Sequence, residues 1–304
     1  MPPEDIQGLV NSATRTARVA FTEAMAALPA EEFMRVVLTA QSDGASHDYS
    51  WLGDVPLVRE WLDERTLALL TAHAFLIVNR RWESTVRVPL QAFRSNNLNL
   101  VRARVADLTD NGKRHVFELI SALLVGGDTG LCFDGTAFFA GDHAFAESGV
   151  WDNLLDGTGI TTATVLTDWA TAKAAMRKFP DSRGRPINRV PDTAWVPAEL
   201  EGIFLEAFKA TQVAGTTNVY QGQATVIVDP NLDDATDWYA LCSGAPMKPF
   251  VWQRNQDWLF KAVTNVEDSW VFLNDAVLYG GDGYYNAGYA LPQLAVKTVN
   301  ANGE

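Results

Sequence analysis

From Asn97 to Val125 the chain reads NLNLVRARVADLTDNGKRHVFELISALLV, and Val101, Val105, Leu108, Gly112, Val116, Leu119 and Leu123 recur at spacings of three and four. That periodicity puts them on one stripe of a helix, with Arg102, Arg104, Asp107, Arg114 and Glu118 largely off it. At about 1.5 Å per residue the run spans roughly 40 Å, enough to cross a small domain. Asp110-Asn111-Gly112 is a turn-like triplet, so the spacing predicts one long helix with a kink or break at that point. Such a helix acts as a spine on which the flanking sheet segments must pack.

The 304 residues suffice for a substantial core, and the length favours two domains over one. No apolar run reaches the roughly 18–20 residues of a membrane span, so no membrane is expected. The start, MPPEDIQG, lacks the basic stretch and apolar run of a signal peptide. Cys132 and Cys242 match no zinc or redox spacing, which fits a reducing cytoplasm. A net charge of −13 argues against binding nucleic acid by phosphate neutralisation, since no Lys/Arg cluster is present to release counterions. Merely enclosing DNA is compatible with it. The ten tryptophans are many for this length and suit cores and subunit contacts.

Asp5 to Leu28 reads as a first helix whose Ala-rich face suits docking on a partner better than building a core, and Pro29 stops it. Phe33 to Thr39 is a strand candidate and Val55 to Glu64 a short helix. Thr66 to Val88 is β-like and interrupted at Asn79-Arg80-Arg81, as two strands of a long ribbon would be. A lone ribbon is marginal, so its support is expected from another subunit. Further on come a helix over Asp168–Lys178 capped by Thr167, a helix from Pro197, and strands over Ala224–Val228, Trp238–Cys242, Trp258–Thr264, Trp270–Asn274 and Leu291–Thr298. This order is α+β rather than a regular βαβ series.

No segment carries a complete catalytic constellation. Asp134, Asp142 and His143 lie in a glycine-rich loop and suit a metal or a general base, but loop side chains capping their own backbone is the better reading, because a closed metal site needs three or four convergent ligands. Cys132 and Cys242 read as buried small hydrophobes. Ser50 and Ser243 sit in no nucleophile elbow. Gly126 to Gly130 follows a helix and lacks the P-loop lysine, and Gly280 to Gly283 reads as a strand turn. Arg59, Glu60 and Trp61 read equally as an interface patch and as a solvated helix face. No cofactor is expected.

Several stretches nevertheless occur together in a telling order. YSWLGDVPLVREWLDERTL followed by LIVNRRWESTVRV (Tyr49 to Val88), Asn96-Asn97-Leu98 opening the spine, and Phe133-Asp134-Gly135, Phe138-Phe139 and Asp142-His143 in the loop come first. Gly184-Arg185-Pro186-Ile187 leading to Trp195–Glu201, and Tyr279-Gly280 with Asn286–Ala290, follow. In that order and spacing the chain resembles the Mu-like prophage major head subunit T family, from Tyr49 to Thr298. Tyr284-Tyr285 stands where the family has an arginine, and Ala290-Leu291-Pro292 where a glycine-containing ending is usual.

The resemblance implies a tailed-phage major capsid (Hong Kong ninety-seven-type) fold of class α+β. Its parts would be an N-terminal arm (1–45), an extended β-ribbon loop region (46–92), a peripheral domain with the spine helix (93–159), an axial domain (160–249) and a return to the peripheral domain (250–304). It implies a non-enzymatic head protein that assembles into hexamers and pentamers of an icosahedral shell in the host cytoplasm, joins the virion and encloses double-stranded DNA without sequence-specific binding. Scaffold, portal and decoration proteins would be its partners. Trp51, Arg59, Glu60, Trp61, Phe75 and Trp82 are then candidate intersubunit contacts, the aromatic ones equally readable as anchors within one subunit. The rival expectations are a cargo-enclosing nanocompartment shell and a metal-dependent hydrolase using Asp142 and His143.

Overall fold

The computed structural model describes residues 3–26, 32–48, 76–94 and 98–300. Helices are α1 (Pro3–Ala26), α2 (Leu90–Arg94), α3 (Leu98–Val125), α4 (Thr162–Lys178), α5 (Glu201–Lys209) and α6 (Ser269–Asn274). Strands in the first half are β1 (Val37–Gln41), β2 (Ser46–Asp48), β3 (Leu76–Val78), β4 (Arg80–Pro89), β5 (His143–Ala144), β6 (Val150–Trp151) and β7 (Leu154–Asp156). Those in the second half are β8 (Thr193–Pro197), β9 (Gln212–Val213), β10 (Thr216–Thr217), β11 (Thr225–Asp229), β12 (Trp238–Leu241), β13 (Phe250–Val263), β14 (Ala276–Tyr289) and β15 (Ala295–Val299).

The spine forms as one unbroken helix, α3, and the feared break at Gly112 has a packing purpose. A β-carbon at Gly112 would stand 2.8 Å from the indole of Trp258, so the missing side chain is the notch that admits the ring. Val101, Val105, Leu108 and Val116 are buried as the stripe predicts, but in the last two turns Ile120 and Leu124 are the buried residues, with Leu119 and Leu123 half-buried beside them. A period of 3.6 drifts from a strict three-four alternation, and the contact face follows the drift.

A first sheet, in the order β1-β13-β14-β4, lies on α3. Gly280 to Gly283 is not a turn but the middle of β14, where Gly281, like Gly112, leaves room for Trp258. Two expectations about this region are corrected. The described part of the ribbon finds its partner in its own chain: β4 pairs with β14 from Pro89↔Ala276 to Arg80↔Tyr285, and β3 pairs with β2, so β3 and β4 do not pair with each other. The first helix also has an internal seat. Ile6, Val10, Ala13, Ala17 and Phe21 join the core formed by α3 and the sheet, and Gln7 grips the β13–β14 connection by accepting from Val266 N–H and donating to the Thr264 carbonyl.

A second sheet, in the order β11-β8-β12-β15-β7, is packed on both faces. On one side Trp195 stacks on Phe117 of α3 at 5.3 Å; on the other Ala194, Val196, Trp238 and Val296 meet α4 and α5 through Trp169, Phe204 and Phe208. Double-sided burial explains why β8 and β12 are apolar without alternation. β15 lies in this sheet and not in the first one. Other boundaries shift for local reasons. α4 starts at Thr162 because Thr161, with Thr164, forms a capping box ahead of Thr167. Trp270–Asn274 is helical, not a strand, because Asp268 caps it by accepting from Trp270 N–H.

Candidate assembly surfaces

The first sheet has one face on α3; the other is covered at its β1 end by β3, whose Ile77 packs on Val251 and Ala290, and carries exposed side chains farther along β13. Along β4, Trp82, Ser84, Val86 and Val88 turn inward while Arg81, Glu83, Thr85 and Arg87 turn out, the expected period of two. At its centre the Asp282 carboxylate bridges three strands, 2.8 Å from Lys261 Nζ and 3.0 Å from Arg81 Nη2. The hydrogen bond from Lys261 holds this carboxyl below its usual range, against the opposing effect of burial and with help from Arg81. On the same face Leu259 and Val263 flank Lys261 and are exposed. At the end of the β13–β14 ribbon, α6 carries Phe272 and Leu273, 79% and 78% exposed.

Of the contacts expected from sequence, Trp51, Arg59, Glu60, Trp61 and Phe75 lie outside the described residues. Trp82 is described and is engaged within its own chain. Its Nε1 donates to the Tyr285 carbonyl at 3.0 Å, and its ring lies 4.3 Å from that of His115. Phe272 and Leu273 were missed because VFL in isolation reads as a strand. The Asp268 cap and the Asn274-Asp275 ending were the signals of a helix instead.

Asp142 does not join His143. It is exposed, whereas His143 is fully buried against Asp134. His143 Nδ1 lies 2.7 Å from Asp134 Oδ2, and its Nε2 3.1 Å from Asn153 Oδ1, which accepts from Ala140 N–H. Asp134 also accepts from Cys132 Sγ and Thr136 N–H. Burial works against the Asp134 charge, but the hydrogen bonds from His143, Cys132 and Thr136 outweigh it and hold its carboxyl below the usual range. Burial and the Asp134 contact push the Cys132 thiol far up, away from a nucleophile's range. Cys132, Asp134 and His143 have donor atoms within 4.8 Å of one another, the spacing of a metal group, yet these atoms are spent on each other and closed to a substrate. The cluster ties the loop after the spine to β6, whose Trp151 stacks on the His143 ring at 4.4 Å.

A second buried junction joins the end of the spine to the second sheet. Lys297 of β15 reaches Asp128 at 2.6 Å and Asp237 at 3.3 Å. Burial alone would lower the ammonium's pKa; Asp128 and then Asp237 reverse that and raise it.

Comparison with known proteins agrees with this architecture. A model of the Mu-like prophage major head subunit gpT family matches residues 10–169 and 230–302. The Mu-like prophage FluMu major head subunit of Haemophilus influenzae is 23% identical over 275 residues, covering 90% of this chain and 68% of that protein. The major capsid protein of Escherichia phage Mu is 23% identical over 265 residues, covering 87% and 65%. The chain thus spans about two thirds of the length of these relatives. Among solved structures, the procapsid of bacteriophage JBD30 superposes with a TM-score of 0.62 at 23% identity, over 100% of this chain and 78% of that one.

Proposed function

This chain belongs to the Mu-like prophage major head subunit gpT family and has the tailed-phage major capsid fold; we propose that it is the major capsid protein of a phage head, and that its copies close into hexamers and pentamers of an icosahedral shell around double-stranded DNA. The observation that carries this reading is the outward face of the first sheet. It pairs exposed Leu259 and Val263 with an ionic ladder, and it ends in the bare apolar side chains of α6, surface that the folded subunit does not need. Closed symmetry multiplies modest contacts of this kind into a stable container.

In this reading residues 1–45 are the arm region, with α1 seated on its own spine, and 46–92 the loop region, whose strand β4 is paired within its own subunit. The spine region 93–159, with β13 and β14, is the peripheral part, and 160–249, joined by β7 and β15, is the axial part at ring centres. Trp51, Arg59, Glu60, Trp61 and Phe75 are contacts between neighbours, while Trp82 anchors the loop region to its own subunit. The net charge of −13 suits a wall that lets DNA slide past without phosphate binding. Assembly takes place in the host cytoplasm with scaffold and portal proteins, and decoration proteins bind the finished head. Size-exclusion chromatography with light scattering tests the reading: rings or megadalton particles are expected, and a monomer at every concentration and salt would refute it.

A further inference from the structure

Asn153 fixes the chemistry of the buried loop cluster from outside it. Its Nδ2 is shared among the carbonyls of Phe138, Pro292 and Ala295, at 2.9, 3.2 and 3.3 Å, and its Oδ1 accepts from Ala140 N–H. The carboxamide is thereby oriented, and Oδ1 is the atom that meets His143 Nε2 at 3.1 Å. An oxygen there requires a proton on Nε2. The other ring nitrogen, Nδ1, then aims its lone pair at Asp134 Oδ2, 2.7 Å away. Two acceptors at that distance repel unless a cation lies between them, and with no metal present that cation is a second ring proton.

Cys132 completes the group. Its Sγ lies 2.9 Å from Asp134 Oδ1, so the carboxylate turns one oxygen to the thiol and the other to the imidazole. One donor atom of each residue lies within 4.8 Å of the others, and the second oxygen of Asp134 adds a fourth donor to the set. Charge balance selects the valence. A thiol, a carboxylate and an imidazolium sum to zero; so do a thiolate, a carboxylate, a neutral imidazole and a divalent ion. A monovalent or trivalent ion would leave an uncompensated charge in a site that solvent does not reach. Mixed sulfur, nitrogen and oxygen donors suit a borderline-soft ion of the zinc class rather than magnesium or calcium. The Nε2–H bond to an oriented acceptor is the outer contact that metal-bound histidines keep.

We propose that Cys132, Asp134 and His143 form a structural binding site for a zinc-class divalent cation. Binding breaks the Sγ–H and Nδ1–H bonds, forms Sγ–metal and Nδ1–metal bonds and passes both protons to solvent, with no electron transferred. The hydrogen bonds among the three residues are the protonated form of the same site. Bound there, the ion clamps the loop after the spine to β5 and, through Asn153, to the start of β15. The site does not depend on the shell reading.

The test uses the untagged 304-residue chain, purified from cultures supplied with zinc or, as a spectroscopic probe, with cobalt. Wild type should retain one ion per chain through gel filtration, and its cobalt form should show thiolate-to-cobalt charge transfer in the near ultraviolet. Cys132→Ser keeps a hydroxyl that can donate to Asp134; it should fold with the wild-type circular dichroism spectrum and lose both the ion and the band. Cys242→Ser should keep both, because Cys242 is buried in the separate core under the second sheet. Zinc added to metal-free chain should release two protons per ion, read with a pH indicator. Wild-type chain that holds neither metal after supplementation would overturn the proposal. So would equal binding by wild type and Cys132→Ser, or cobalt bound without the thiolate band, since either marks an adventitious ion only.

Discussion

Gly112 on the spine helix faces the indole of Trp258 on β13 so closely that a β-carbon would stand 2.8 Å from Cε2 and Nε1. Gly281 receives the same ring from β14, so the indole is hemmed in by the helix on one side and the strand on the other. Gly112→Ala should therefore destabilise the subunit, by about 1–3 kcal/mol of overpacking, although alanine is intrinsically favoured over glycine in a helix by about 1 kcal/mol. Gly8 on α1 has nothing within 4 Å of its would-be β-carbon, and Gly8→Ala should stabilise by up to about 1 kcal/mol. Denaturant unfolding of the two variants beside the wild type reads the opposite signs.

The pairing of His143 with Asp134, and not with its sequence neighbour Asp142, predicts a sharp contrast. His143→Ala takes one of three hydrogen-bond partners from the buried Asp134 carboxylate and leaves a cavity beside Trp151, and should cost about 2–4 kcal/mol. Asp142→Ala removes an exposed side chain and should stay within about 0.5 kcal/mol. Thermal unfolding of the dissociated subunit separates them.

Acid should act on the same cluster. The Asp134 carboxyl is depressed in the folded chain, so its stabilising contribution is complete above the unfolded value of about 3.9 and is lost as pH falls through the lower folded value. Asp134→Asn should thus be less stable than wild type at neutral pH, and the gap should narrow below about pH 4. A gap that stays constant from neutral to strongly acid conditions would contradict the assignment.

Lys297 stands between two carboxylates, one of them nearly buried. Lys297→Met strands Asp237, whose carboxyl burial already pushes up, and should cost about 3 kcal/mol or more at neutral pH. For an acid with a raised folded value the protonated form favours the fold, so acidification should return part of that loss. Urea midpoints of the variant and wild type, compared from neutral to mildly acid pH, check both the size and the sign.

Trp82→Ala removes a half-buried ring and its hydrogen bond to the Tyr285 carbonyl. The cost should appear in the subunit itself, about 2–4 kcal/mol, before any effect on assembly. An unchanged subunit melting temperature with impaired assembly would instead make Trp82 a contact between neighbours.

What the sequence made legible was the periodic and the local. The spine stripe was readable because Val101, Val105, Leu108 and Val116 obey the helical period. β12 was readable because the apolar run Trp238–Cys242 suits a strand. Pairing across long sequence distances was not legible: nothing near Arg80–Pro89 reveals that its partner is Ala276–Tyr289, so the ribbon looked unsupported. Gly112 and Gly281 looked like breaks because their purpose, a notch for Trp258, exists only once helix and sheet meet. The candidate surface stayed hidden for the opposite reason. Phe272 and Leu273 have the composition of core residues, and only the burial of Val271 beside them shows that they face out.

Electron microscopy of the purified 304-residue chain tests the central claim most directly. Closed shells or rings of five and six subunits, built from this chain alone or once its scaffold is supplied, are the predicted result. A field of dispersed single subunits under every such condition would contradict it.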